Sequence, residues 1–146
     1  MENNIFSKMP VNWTVCTQAD CPLHERCLRY QAFEYINSRH TQQRCVLPSA
    51  RNDRGCRYHV PFAKVPVAWG MHEMLDGIQK DDAQQMRASL EKYFKSHSTY
   101  YRYYNAQYPI SPEQQQAIRR IFKRFGYDPD NVHFDRVEQD YFFPRS

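Results

Sequence analysis

Cys16, Cys21 and Cys27 fall within twelve residues, Cys45 and Cys56 follow, and the last ninety residues hold no thiol at all. Thiolates are soft ligands, and a zinc ion or an iron–sulfur cluster needs about four of them converging on one point. The spacing C-x4-C-x5-C is looser than a paired C-x2-C knuckle, so density rather than strict motif carries the signal. A short loop still brings three ligands together at little cost in chain entropy. Cys45, Cys56, His24 and His59 compete for the fourth position, since Cys21-x2-His24 and Cys56-x2-His59 both have ligand-like spacing, and Cys56 is favoured. Zinc is the expected metal because nothing else in the chain suggests electron transfer; a [4Fe–4S] cluster is the alternative. A lone cysteine is ordinarily a small buried hydrophobe, but five within forty-one residues tip the reading to metal. His40, His72, His97 and His133 are isolated and read as surface or partly buried side chains.

Other chemistry finds little footing. Cys56 and His59 could be imagined as a nucleophile and its base, yet the chain has no oxyanion-loop motif, no H-E-x-x-H, and too few glycines, four in all, for a phosphate loop. The expectation is a non-catalytic protein.

These residues must be positioned by a chain of 146 residues, 41% hydrophobic and 15% aromatic, with eleven Tyr and nine Phe, which is enough to fold. No run approaches the roughly 18 apolar residues of a membrane helix, and Met-Glu-Asn-Asn-Ile-Phe lacks a signal-peptide pattern. A cytoplasmic protein is expected, where disulfides are rare and clustered thiols point to metal. Pro22 suits a first helical turn, and helical spacing from Leu23 to about Ile36 puts Cys21 at a helix N-terminus, where the dipole favours a thiolate. Short extended pieces are expected at 13–15, 45–47 and 56–60, with the polar stretch Ser49 to Gly55 joining the last two as a β-ribbon.

From Pro66 the pattern turns helical. Val67, Met71, Met74, Leu75 and Ile78 predict one helix; Ala83, Met86, Leu90 and Phe94 predict a second; Ser98 to Asn105 is a third. Ser111-Pro112-Glu113-Gln114 is a capping box opening a fourth, whose stripe is Ile118, Ile121, Phe122 and Phe125. The methionines at 71, 74 and 86 are core packing. A turn at Asp128 to Asn131 and an extended aromatic end at Tyr141 to Phe143 complete the chain. The predicted fold is therefore mainly α: a small cysteine-rich subdomain with a β-ribbon over 1–62, then a four-helix, helix-turn-helix-like unit over 63–146, packed as one body.

Residues 83–125 carry eight Lys/Arg against two Glu, and 126–146 carry two Arg against five acids. A basic body with an acidic tail suggests an anionic partner. In helix-turn-helix geometry the helix near Ser98 would enter the major groove, with Arg102 and Asn105 reaching base edges or phosphates and Ser98, Thr99 and Tyr101 on the backbone. Arg119, Arg120, Lys123 and Arg124 would add phosphate contacts. The competing reading makes the tyrosines core and interface filler and the chain a protein–protein interaction module.

On Cys16, Cys21-Pro22, Cys27-Leu28-Arg29, Cys56, Val67-Ala68-Trp69-Gly70, Tyr100-Tyr101-Arg102 and Pro112-Glu113-Gln114 with Ile118-Arg119-Arg120, the chain resembles a family of small uncharacterised bacterial proteins, a domain of unknown function. The resemblance spans nearly the full length. It implies Cys16, Cys21, Cys27 and Cys56 as the shared thiols, leaves Cys45 as a departure, and brings no activity. The sequence thus predicts a metal-stabilised protein with no membrane segment, whose partner is DNA or another protein.

Overall fold

The computed structural model describes residues 6–144. Its elements run α1 (Leu28–Ile36), β1 (Arg51–Asn52), β2 (Gly55–Cys56), β3 (Val65–Trp69), α2 (Lys80–Tyr93), α3 (His97–Tyr104), α4 (Pro112–Arg124) and β4 (Arg136–Asp140), with single 3₁₀ turns at His24–Arg26, Pro48–Ala50 and Pro129–Asn131. Two compact units result: one runs to Lys64 and takes in the chain again from Phe143, the other is Val65–Phe142.

In the first unit a small core forms around Val15, Leu28, Ala32 and Ile36, all nearly inaccessible to water. Trp13, Val46, Val60 and Phe143 are buried with them; each fully buried Val, Leu, Ile or Phe contributes roughly 1.5–3 kcal/mol, in a unit small enough for its stability to be marginal. Backbone bridges tie its segments: Val15 pairs with Cys45, Cys27 with Pro61, and β1 pairs with β2 in a tight antiparallel hairpin. Phe143 packs edge-on against Trp13 at 4.9 Å, and the Trp13 indole N–H donates to the Pro144 carbonyl at 2.8 Å.

The second unit is built on β3. Val65 to Trp69 pairs antiparallel with β4 over the register Val65↔Asp140 to Trp69↔Arg136, while Ala68 exchanges both backbone hydrogen bonds with Ile110. The helices α2, α3 and α4 contribute Met86, Leu90, Tyr100, Tyr103, Ile118 and Phe122 to the core behind it. The α4 capping box is present: Ser111 Oγ accepts from the Gln114 amide at 3.1 Å, and the Ser111 amide donates to Gln114 Oε1 at 2.9 Å. Ser96 caps α3 in the same way, accepting from the Thr99 amide at 3.1 Å.

This is a mixed α/β fold with two small antiparallel sheets, and it overturns the expectation of a mainly α protein with a four-helix unit. The helix predicted over Val67 to Ile78 is absent: its first residues are β3 and the rest are turns. A 3.6-residue spacing of apolar side chains was present, but Val65, Val67 and Trp69 favour extended backbone, and the segment pairs with β4 on one side and Ile110 on the other. Gly70, at φ +83°, then ends the strand. The tail, for which a turn at Asp128 to Asn131 and an extended end at Tyr141 to Phe143 were expected, supplies β4 just before that end, at Arg136–Asp140.

Gly70 has a second reason to be glycine. A Cβ there would run into the Asp135 carboxyl group, meeting its carbon at 2.9 Å. Gly70→Ala is expected to destabilise Val65–Phe142 by about 1–3 kcal/mol, from a left-handed backbone and this collision. Urea unfolding followed through Trp69 fluorescence in a Trp13→Phe background measures it; an unchanged midpoint contradicts the packing described.

Candidate metal centre

The first unit delivers four thiols to one cavity. Cys16 follows the Val15 bridge, and its amide donates to the Arg29 carbonyl at 3.2 Å. Cys21 stands in a turn closed by its amide to the Gln18 carbonyl at 3.2 Å. Cys27 is the N-cap of α1, held extended at φ −109° and ψ 121° because its neighbours bond Val60 and Phe62 across the bridge to Pro61. Cys56 ends the hairpin on β2. The helix begins at Leu28, so the thiol at its N-terminus is Cys27, where the sequence pointed to Cys21; Pro22 sits in the preceding turn.

Cys16, Cys21, Cys27 and Cys56, with His24 and His59, line a cavity of about 20 Å³, room for one ion or one water. Three of the sulfurs receive a backbone amide from the residue two positions on: Leu23 N–H to Cys21 Sγ at 3.4 Å, Tyr58 N–H to Cys56 Sγ at 3.4 Å, and the Gln18 amide to Cys16. At Cys16 this bond favours the thiolate. Burial nevertheless pushes the Cys16 thiol up, and the charges of Cys27, Cys21 and Cys56 push it further, which shows how near the four stand. Among the described residues no three Cys, His, Asp or Glu side chains are already closed enough to hold a metal ion. The thiols ring the cavity without converging, so gripping an ion requires side-chain movement inward.

Arg29 lies beside them, 3% exposed. Its Nε donates to the Tyr58 carbonyl at 2.7 Å and Nη1 to the Thr14 carbonyl at 2.6 Å, and the guanidinium stacks 4.5 Å from the Trp13 ring. Burial pulls its pKa down, and the negative charges opposing this are those of Cys27, Cys56, Tyr58 and Cys16. A buried cation without a carboxylate partner is costly; here two backbone carbonyls and the Trp13 ring face take the place of water around it.

The substitute ligands separate. Cys45 is exposed, bonds the Gln43 carbonyl at 3.6 Å, and lines a different, larger groove. His24 Nδ1 is 2.7 Å from the Cys21 carbonyl. His59 Nδ1 is buried with no hydrogen-bond partner among the described residues, and burial lowers its pKa, keeping the ring neutral.

The residues expected to meet DNA are scattered. Tyr100 and Tyr103 of α3 belong to the core and Tyr101 is half-buried. Arg102 bonds the Tyr108 hydroxyl at 3.0 Å, Asn105 is 3.0 Å from His72 Nε2, and Thr99 serves the Ser96 cap. Arg119 donates to the Pro129 and Val132 carbonyls. Ser98, Arg120, Lys123 and Arg124 are exposed, and Arg120 and Arg124 share a shallow pocket of about 600 Å³ with Lys92 and Tyr93.

Two features escaped the sequence reading. Residues 39–64 carry six Lys/Arg against Asp53 alone, a stronger bias per residue than the stretch that drew attention. His72, read as isolated, is the centre of a network: its amide and Nδ1 bond the Asp135 carboxylate, the latter at 2.7 Å, and Nε2 faces Asn105 Oδ1. Its partners lie 63 and 33 residues away, with no local signal. The network clamps the turn after β3 to the tail and to the end of α3.

A small mixed α/β protein with an ion-sized thiol cavity beside a buried arginine is the class these observations define. The chain belongs to the Family of unknown function (DUF6078), whose model matches residues 1–143. Comparison with curated proteins gave no match, and neither did comparison with solved structures. Among the described residues no helix is long and apolar enough to cross a membrane.

The clamp sets a pH dependence. The Asp135 and Asn105 hydrogen bonds, aided by the charges of Asp135 and Glu73, raise the His72 pKa. The protonated ring is thus favoured by folding, and its contribution is complete below the unfolded value of about 6.5 and lost as pH rises through the higher folded value. Stability of Val65–Phe142 should therefore fall between about pH 6.5 and the raised folded value, a decline that His72→Gln flattens in Trp69-monitored urea titrations. An identical slope in both proteins refutes the assignment.

Proposed function

We propose that the protein is a non-catalytic nucleic-acid-binding protein organised by one zinc ion on Cys16, Cys21, Cys27 and Cys56. The observation that carries the metal is the run of amide bonds from position i+2 to three of the four sulfurs around a single ion-sized cavity. Buried thiols acting as small hydrophobes need no such donors. Zinc is favoured over a [4Fe–4S] cluster because about 20 Å³ accommodates one ion and not an eight-atom core. Four thiolates on a divalent ion carry a net charge of about −2, and Arg29 offsets part of it.

Nucleic acid is the proposed partner because cations gather beside the thiols. Cys56 and Arg29 line both the thiol cavity and a groove of about 940 Å³ that also holds Arg44, Arg54 and Arg57. A metal gripping Cys56 would fix the hairpin that carries Arg54 in its turn and leads into Arg57. The interaction-module reading has less support: the α3 tyrosines it relied on are core or half-buried.

Protein purified anaerobically is expected to contain about one equivalent of zinc. Cys16→Ser and Cys56→Ser should each lower this well below half, while Cys45→Ser leaves it intact. Because metal binding supplies folding free energy, a chelator should shift Trp13 fluorescence before Trp69. Equal metal loss from Cys45→Ser and Cys56→Ser, or metal-free protein from every preparation, contradicts the proposal.

A further inference from the structure

We infer that the arginine groove of the first unit, rather than the helices of the second, is the surface that binds nucleic acid, and that its occupant is a single strand. The inference rests on the reading above and assigns it a place. Four arginines, Arg29, Arg44, Arg54 and Arg57, line the groove without one carboxylate among the lining residues. Arg44, Arg54 and Arg57 are exposed, and among the described residues none forms an ion pair. Arg51, by contrast, is turned to Asp20 at 3.3 Å and does not line the groove. Cations left unpaired together on a concave surface attract a row of phosphates. Thr14, Ser49 and Asn52 add polar atoms along the same walls.

Two observations select a single strand. Tyr58 lies at the groove with 38% of its surface exposed, and the Arg57 guanidinium stands 5.2 Å from its ring, a planar platform of the kind on which unpaired bases stack. Duplex reading in the major groove needs a helix or a β-ribbon long enough to enter it. The exposed regular elements lining this groove are a hairpin of two residues per strand and a 3₁₀ turn, while α1 reaches it only through the buried Arg29. Leu47, 68% exposed beside it, offers further apolar surface for a base face.

The test uses metal-replete full-length protein and fluorescence anisotropy with labelled oligonucleotides of about 12 nucleotides, single-stranded and duplex, over a salt series. The single strand should bind more tightly than the duplex. Arg54→Ala with Arg57→Ala should weaken it more than tenfold and lower the salt slope by about 1.4, at about 0.7 for each single-strand phosphate no longer neutralised. Tyr58→Ala should weaken binding about fivefold or more with the slope unchanged. Arg120→Ala with Lys123→Ala should change neither. Metal content and circular dichroism of the variants should match the parent, since all these side chains are exposed. Failure of the parent protein to bind any strand at about 0.05 M salt overturns the nucleic-acid reading itself. Binding lost with Arg120→Ala and Lys123→Ala but kept in the groove variants overturns the groove alone. Preference for duplex overturns the single strand as occupant. Inorganic polyphosphate competing as well as the oligonucleotide, with Tyr58→Ala silent, reduces the groove to a general polyanion site and overturns the inference too.

Discussion

A guanidinium buried among thiols is the constraint around which the first unit is arranged. Arg29 accepts the Cys16 amide at its carbonyl, donates to the carbonyls of Thr14 and Tyr58, and stacks on Trp13. Three separate segments, those before Cys16, at the start of α1 and after Cys56, are fixed by one residue. Its charge is met by those carbonyls and the Trp13 ring, and the groups near enough to add a countercharge when ionised are the thiols of Cys27, Cys56 and Cys16 and the Tyr58 phenol. A unit of this size has only marginal hydrophobic stabilisation to offset an unanswered buried charge. With a metal ion bound as proposed, the thiol cluster would become an electrostatic partner of Arg29 and a cross-link for a unit of marginal size.

The second unit solves a different problem. β3 is flanked by β4 on one side and by Ile110 on the other, and the strand must stop where the chain turns back toward the helices. Gly70 stops it, and the space left by its missing side chain admits Asp135, which grips the amide and ring of His72. The ring in turn meets Asn105 at the end of α3. Strand end, helix end and tail are thus joined by one carboxylate.

What could be read from residue types alone followed locality. The α4 cap was legible because Ser111, Pro112 and Gln114 complete their hydrogen bonds within four residues. The thiols were legible as a group because they are crowded in the chain, but the ribbon was misplaced: strands were expected at 45–47 and 56–60 around a loop over Ser49 to Gly55, whereas Arg51–Asn52 inside that loop pairs with Gly55–Cys56 and Cys45 bridges Val15 instead. What failed was long-range. The stripe from Val67 to Ile78 satisfied a helical period, yet pairing with β4 some seventy residues later, together with Gly70, decided for strand and turn. Cys21 lost its expected helix because Cys27 bridges Pro61. His72 gave no local hint of Asp135. The arginines of the first unit were visible in the sequence, but their convergence depends on the hairpin and on α1 lying against it, which composition does not encode.

X-ray absorption at the metal edge of protein purified anaerobically tests the central claim most directly, because it counts ligand atoms and identifies the ion at once. Four sulfur scatterers at about 2.3 Å around zinc is the predicted result. Two or fewer sulfurs, or a first shell made of oxygen and nitrogen, would contradict a tetrathiolate centre on Cys16, Cys21, Cys27 and Cys56.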